Sequence, residues 1–453
     1  MLLPGGCALG PDYIKPAAIV PAQYKELKGW KFASPRDDVA RGAWWRAFGD
    51  GALDRLEPQV AISNQTLKAD EANYRQALAL IAEGRAQLFP TLNFDPSLTR
   101  SSGAGTNLNA ELSASWMPDI WGKVRRTIES QGAAAQVSAA DLANATLSAQ
   151  SALALAYFQV RQADSLHDLL TNTVAQYQRS LDITQNQYNA GTNARSDVIT
   201  AQAQLFAAQA QAINTGVARA QNEHAIAVLI GRPPAELSIA HRGLPSVLPR
   251  IPLRLPSALL ERRPDIAAAE RLMQEQNALI GVATAAYYPD ITLSGLFGYA
   301  GNPFIHALAG SNPVWLFGLT AAQPLFNGGL TSAQVEAVRE TYIASIATYR
   351  QAVLTAFQQV EDQLAAIRIL SEQAALQARA TAAAEQAVQI ALNEYRAGTQ
   401  NYTTVVTAQA TALSDEESAL TTRAQRMTAA VNLIVALGGG WTRDALATPL
   451  GAQ

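Results

Sequence analysis

Gln187-Tyr188-Asn189-Ala190-Gly191-Thr192 returns later in the chain as Glu394-Tyr395-Arg396-Ala397-Gly398-Thr399. The offset of 207 holds well beyond the turn, pairing Val198 with Val405, Ala201-Gln202-Ala203 with Ala408-Gln409-Ala410, and Gly231 with Gly438. A constant offset without a gap means one structural unit made twice. In each copy a long Ala- and Gln-rich run reaches the Gly-Thr pair, and a second long run follows. Glycine just past a helix end supplies a left-handed stop. The pattern predicts two antiparallel helical hairpins, with the turns at Gly191, Thr192 and at Gly398, Thr399 at the same end of the molecule.

The first arm of each hairpin is very long. From Gly122 to about Asn189 there is no Pro and one internal Gly, Gly132, while Leu166, Leu170, Val174, Tyr177, Leu181 and Tyr188 recur at steps of three, four or seven. At 1.5 Å per residue such a helix is about 100 Å long, which points to a coiled-coil-like assembly. Its partner runs from about Ala194 to Ile230 and stops at Gly231-Arg232-Pro233-Pro234. The second copy runs from Asn327-Gly328-Gly329 to about Arg396, then from Asn401 to Leu437. In that last helix Leu420, Ala424, Met427, Val431 and Ile434 step by four, three, four and three, and their equivalents are Ile213, Val217, Ala220, His224 and Ala227. The spacing places His224 on a seam between helices, as a packed, hydrogen-bonded side chain rather than a ligand.

Between the helices the period changes to two. Leu92, Phe94, Pro96 and Leu98 alternate with Asn93, Asp95, Ser97 and Thr99, and Leu108, Ala110, Leu112, Ala114 and Trp116 alternate with Asn107, Asn109, Glu111, Ser113 and Ser115. The second half repeats the device over Asp290–Gly301 and Val314–Gln323, with Phe297, Tyr299, Trp315 and Phe317 on the apolar side. Such alternation predicts strands with one apolar and one polar face. At roughly ten residues each they match the span of a tilted membrane strand. The competing reading is a soluble sheet with one face on a core, in a lipid-anchored periplasmic coiled-coil scaffold.

Composition narrows the function classes. Charged residues make up 16% of the 453, and the net charge of -3 gives no basic footprint for nucleic acid. No run of about 18 apolar residues exists, which excludes a transmembrane helix. The four histidines, His167, His224, His241 and His306, are scattered, and no phosphate loop or nucleophile motif appears, so no enzyme is expected. Four Met and one Cys offer no sulfur track for copper, which leans toward organic cargo. The single cysteine, Cys7, excludes an internal disulfide, and its context Pro4-Gly5-Gly6-Cys7-Ala8 suggests a lipoprotein cleavage site. Pro4 and the six preceding residues depart from a full signal. Residues 8–43 read as an extended surface segment, and Trp44-Trp45 with Phe48 as packing before a helix.

Four strands cannot close a barrel, and an open edge in lipid leaves backbone groups unpaired at several kcal/mol each. Several chains must therefore share one barrel. Three copies give twelve strands and an aqueous lumen, whereas two give eight and a filled one. The expected fold is mainly α with a transmembrane β part: a homotrimeric twelve-stranded β-barrel continuous with a twelve-helix α-barrel, two repeats per chain.

At this point the chain resembles the outer-membrane factors of bacterial efflux and type I secretion systems, in particular the NodT-type lipoproteins paired with RND pumps. The marks are Cys7-Ala-Leu-Gly-Pro11-Asp-Tyr13-Ile-Lys-Pro16, Trp44-Trp45 with Phe48 and Asp50, Leu259-Leu260-Glu-Arg-Arg263-Pro264-Asp265-Ile266 with Glu270, Ile280-Gly281-Val282-Ala283 with Tyr288-Pro289, and Ala436-Leu437-Gly-Gly-Gly440-Trp441. The resemblance implies a passive exit duct for drugs or other small molecules, a homotrimer in outer-membrane lipid. Its partners would be a periplasmic adaptor and an inner-membrane RND-type pump; a type I secretion or metal-efflux duct is the nearest alternative. It also implies a covalent lipid on Cys7, no other cofactor, and no metal.

The implied divisions are residual signal at 1–7, equatorial segments at 8–60, 232–262 and 438–453, α-barrel helices at 61–88 and 263–287, β-hairpins at 89–121 and 288–327, and long helical hairpins at 122–231 and 328–437. The resemblance places a periplasmic gate at the two turns, where Tyr395 would bond Asp197, with Ser196 beside it and Arg195 as a local ion-pair partner. A role for Asp197 in capping or in the helix dipole is an equal alternative, and both can hold. Thr404, Thr407 and Gln400 stand where some members carry charge, leaving Asp197 as the main acid of the entrance.

Overall fold

The computed structural model describes residues 8–26 apart from 19 and 22, then 43–102, 105–249, 262–301 and 313–441. Cys7 and His306 lie outside the described residues. After a 3-10 turn at Trp44–Phe48 come α1 (Gly51–Ser63) and α2 (Gln65–Ala86), strands β1 (Thr91–Ser101) and β2 (Gly105–Trp116), and helices α3 (Lys123–Asn189) and α4 (Arg195–Leu229). The second half gives α5 (Pro264–Ala285), β3 (Asp290–Gly301), β4 (Pro313–Ala322), α6 (Leu330–Arg396) and α7 (Tyr402–Ala436). The two long arms, α3 and α6, have 67 residues each, and their partners α4 and α7 have 35 each, so the repeat is kept to the residue.

Local chemistry sets the boundaries. Asp50 caps α1 by accepting from the Ala52 and Leu53 amides, and Asn64 caps α2 by accepting from Thr66 and Leu67. Pro264 stands in the first turn of α5, where its missing N–H costs nothing. Asp119 accepts from the Val124 and Arg125 amides at 2.9 and 3.0 Å and so starts α3.

The four strands form one antiparallel sheet in the order β1-β2-β3-β4, leaving β1 and β4 as open edges. The register aligns Phe94, Leu112, Phe297 and Trp315 in one row, and Leu92, Ala114, Gly295 and Phe317 in another, on the same face. The adjacent row, on the opposite face, holds Asp95, Glu111, Gly298 and Val314. That second face is less polar in β3 and β4, where it carries Leu296 and Leu316. Among the described residues the apolar face packs on nothing: Phe94 is 66% exposed, Phe297 53%, Trp315 75% and Phe317 73%. Every residue of β1 is exposed. Among the described residues no core seats this sheet.

The main core lies midway along the helices. Trp44, Trp45, Leu53, Leu56 and Val60 pack on Leu153, Tyr157 and Phe158 of α3, joined by Ile226 and Ile230 at the end of α4 and by Met427 and Val431 of α7. Chain segments strap this level from outside. Asp164 of α3 accepts from Arg219 Nε (2.7 Å), Arg161 Nη1 (3.2 Å) and the Arg242 amide (3.1 Å), tying the post-α4 linker down. His241 of that linker sits between Asp164 and Asp168 at 3.2 and 2.9 Å. The N-terminal segment is held likewise, with Glu361 of α6 accepting from the Lys25 and Glu26 amides.

His224 departs from the sequence expectation. It is exposed on α4 rather than packed, because among the described residues of one chain no helix covers that stripe, although its equivalent Val431 is fully buried.

Candidate functional site

Two regions carry the features that bear on function, the hairpin tips and the foot of the sheet. At the tips the two Gly-Thr turns have the same geometry. Gly191 and Gly398 both take φ 75, a left-handed value that glycine adopts without strain. The Gly191 amide donates to Tyr188 O at 2.9 Å and the Thr192 amide to Gln187 O at 3.0 Å; Gly398 and Thr399 repeat this on Tyr395 O and Glu394 O, both at 3.0 Å. Each threonine hydroxyl adds a 2.9 Å bond to the same carbonyl its amide uses. These bonds satisfy two of the orphan carbonyls in the last turn of each of α3 and α6. The Gly-Thr repeat is thus a helix-ending motif fixed by backbone chemistry.

The hairpins are tied to one another within the chain. Tyr395, 3% exposed, accepts from Asn193 Nδ2 at 2.5 Å and donates to Thr184 Oγ1 at 3.4 Å. One turn of the structure deeper, Gln409 Nε2 donates to Ser180 Oγ at 2.8 Å. The Tyr395 ring lies 5.2 Å from Tyr402, centroid to centroid, over a small core with Ala201, Ala391 and Val405. Burial pushes the Tyr402 phenol up to about 12, with Tyr395, Tyr177 and Asp197 adding to the effect.

Within one chain Tyr395 bonds Asn193 and Thr184. Asp197 lies in the first turn of α4, three residues after the N-cap Ala194, and receives a 3.5 Å hydrogen bond from Ser196 Oγ. That position suits the helix dipole and not a capping bond. Among the described residues Arg195 makes no ion pair with Asp197. Sequence reasoning missed Asn193 and Thr184; the one available signal was that Asn193 aligns with Gln400, a point where the two repeats differ.

At the foot of the sheet, strands hand over to helices through aromatic side chains. Trp116 Nε1 donates to Leu88 O at 3.0 Å and Trp121 Nε1 to Pro289 O at 2.8 Å, and Trp121 stacks on Tyr288 at 4.8 Å. Phe89, Leu325 and Phe326 protrude nearby at 68, 96 and 91% exposure. Aromatics that pair one polar atom while showing an apolar face suit a membrane interface.

The start of the chain is pinned at this same level. Buried Arg126 donates to Leu9 O (3.0 Å), Gly10 O (3.3 Å) and Asp12 (2.8 Å), and the Leu9 amide donates to Trp121 O at 3.2 Å. Gly10 takes φ 91, and a Cβ there would fall on Gly281 of α5. Ala8 lies against Gly122 where β2 passes into α3.

Among the described residues no group of three or more His, Asp or Glu is placed to hold a metal ion. No described helix is long and apolar enough to cross a membrane.

Residues 56–232 and 255–439 match the family model described as outer membrane efflux protein. The chain is 30% identical to the toluene efflux pump outer membrane protein TtgC of Pseudomonas putida, over 96% of this chain and 93% of that protein. It is 31% identical to the pyoverdine export outer membrane protein OpmQ of Pseudomonas aeruginosa, over 98% of this chain and 96% of the relative. Among solved structures the outer-membrane channel OprN superposes with a TM-score of 0.87 at 28% identity, covering 96% of this chain and all of that one.

Proposed function

The chain belongs to the outer membrane efflux protein family, and from that premise we propose that three copies assemble into one tube, the exit duct of a tripartite efflux system. The observation that carries this is the sheet: four strands, two open edges and a bare apolar face, continuous with helical hairpins about 100 Å long. Edges without partners are tolerated in lipid only if another chain pairs with them. Joining β1 of one copy to β4 of the next three times gives twelve strands, with the Phe94 and Trp315 row outward in lipid and the Asp95 and Glu111 row lining water. The helices below then form the wall of a periplasmic conduit, and the duct passes cargo without transforming it.

The tips are the end that meets a periplasmic adaptor and an RND-type pump, and closure there rests on Tyr395, Asn193 and Thr184, with Asp197 as the acid of the entrance. Outer-membrane location follows from the family; anchoring by a covalent lipid on Cys7 is part of the proposal. Its support is that the next residue, Ala8, lies at the foot of the sheet, where a membrane surface would run. The relatives named for toluene and pyoverdine export favour organic cargo for this chain too.

The test is planar-bilayer recording of protein extracted from outer membranes. Discrete, long-lived channels are expected, and a Cys7→Ala variant should lose palmitate labelling while keeping conductance. A protein that is monomeric in detergent and gives no channels would overturn the reading.

A further inference from the structure

The internal repeat leaves one helix seam half-made. On α7, Leu420, Ala424, Met427 and Val431 form a stripe that is 8, 8, 1 and 0% exposed, buried in a core with Leu147 and Leu153 of α3 and bordered by Leu155. The equivalent stripe on α4 is Ile213, Val217, Ala220 and His224. Here Ile213 is 78% and Val217 55% exposed, His224 is exposed, and Phe206 and Val228 continue the bare stripe at 62 and 64%. The counterpart of the α3 surface is bare in part. Val360, at the position of Leu153, is buried in a second core, but on α6 Leu354, Ile369 and Leu376, at the positions of Leu147, Gln162 and Leu169, are 51, 52 and 65% exposed. One chain therefore fills one seam and carries both halves of a second, unfilled one.

Register can be transferred from the filled seam to the empty one. Helices α3 and α7 run antiparallel, with Gly439, just past α7, against the Leu147 side chain and Gln409 bonded to Ser180. Those two contacts set Val431 level with 155–158 of α3, where Leu155 borders the core that holds Val431. A step of 207 converts Val431 to His224 and Leu155 to Asp362. Asp362 is exposed and lies on the same α6 stripe as Leu354 and Ile369. Among the described residues neither His224 nor Asp362 has a hydrogen-bond or ion-pair partner.

Resting on the trimeric reading, we infer that α4 of one copy docks on α6 of the next, Val217 against Ile369 and His224 against Asp362, the imidazole donating to the carboxylate. The pair answers a problem that the repeat creates. Two seams of similar shape invite exchange, with α7 of one copy settling on α6 of another, or α4 on α3. Exchange would bury Asp362 against Val431 or His224 against Leu155, and an unpaired buried polar group costs more than the apolar contact returns. One polar pair within an apolar stripe fixes partner and register. Nearby charges are engaged elsewhere: Glu223 holds Arg219 and the Ile239 amide, Glu361 holds the Lys25 and Glu26 amides, and Arg368 holds Glu26.

Two arms test this in the full-length chain in native outer membranes. In the first, Val217→Cys with Ile369→Cys is oxidised and run without reductant, Cys7 being present in every sample. Covalent dimers and trimers are expected from the double variant, and from neither single one. In the second, His224→Asp or Asp362→His should each lower the SDS-resistant oligomer several-fold, and the combined swap should restore it to within twofold of wild type. Crosslinking without rescue by the swap overturns the His224–Asp362 pair. Wild-type trimers by light scattering, with neither crosslinks nor rescue, overturn the whole seam while leaving the trimeric reading intact. A wild-type monomer overturns both.

Discussion

Leu316 and Phe317 are consecutive residues near the middle of β4 on opposite faces of the sheet, and both are open in the single chain, at 62 and 73% exposure. Their register partners are Leu296 and Gly295 of β3. If the Phe317 face meets lipid, an arginine there must be drawn into hydrocarbon near mid-height, at roughly 2–4 kcal/mol, whereas an arginine facing the lumen is solvated. Threefold assembly multiplies the first cost to roughly 6–12 kcal/mol per particle, enough to abolish assembly of a marginally stable membrane protein. Phe317→Arg and Leu316→Arg should be compared by guanidinium unfolding in lipid vesicles and by the yield of oligomer in outer-membrane fractions. Phe317→Arg is expected to lose most of the oligomer and Leu316→Arg little. Equal losses, or a greater loss at Leu316, would refute the assignment of faces.

Three further outcomes follow from the geometry. Glu57 of α1 is fully buried with neither carboxylate oxygen partnered among the described residues, and burial pushes it up to about 9. Because the folded acid holds its proton more tightly than the unfolded one near 4.3, stability is greatest below that value and falls as pH rises toward about 9, by ~1.4 kcal/mol per unit. Glu57→Leu should abolish that slope and raise hydrogen-exchange protection of α1 at pH 8; an unchanged slope would show the carboxyl to be solvated. Tyr395→Phe removes the bonds to Asn193 and Thr184, and Asn193→Ala those to Tyr395 and Gln187, each bond worth about 0.5–1.5 kcal/mol per copy; single-channel conductance should rise for both, with no change in either removing the tether. Arg126→Ala deletes the donor to Leu9, Gly10 and Asp12, so protease should cleave residues 8–16 faster without loss of the oligomer.

The parts of this fold that are periodic were legible in the sequence. An offset of 207 carried both hairpins, and two-residue alternation carried four strands and the apolar face of Phe94, Leu112, Phe297 and Trp315, because side-chain direction in a strand is set by parity alone; their alignment in one row is set by the strand register, which parity does not give. What periodicity cannot say is whose surface covers a given stripe. His224 and Val431 are equivalent in sequence, yet one is bare and the other buried, since the described residues supply α3 for the second and no helix for the first. The tip contacts were hidden for another reason. Asn193, Thr184 and Tyr395 meet only after two hairpins converge from positions 202 and 211 residues apart, and no local pattern records that. Glu57 sits at helical spacing from Leu53 and Val60, so its burial could have been read from the stripe.

The central claim is the closed threefold tube, and cryo-electron microscopy of the outer-membrane extract tests it most directly. The account predicts a particle with threefold symmetry whose twelve strands close by β1 of one copy pairing with β4 of the next. A single-chain particle, or a ring of any other order, would contradict it.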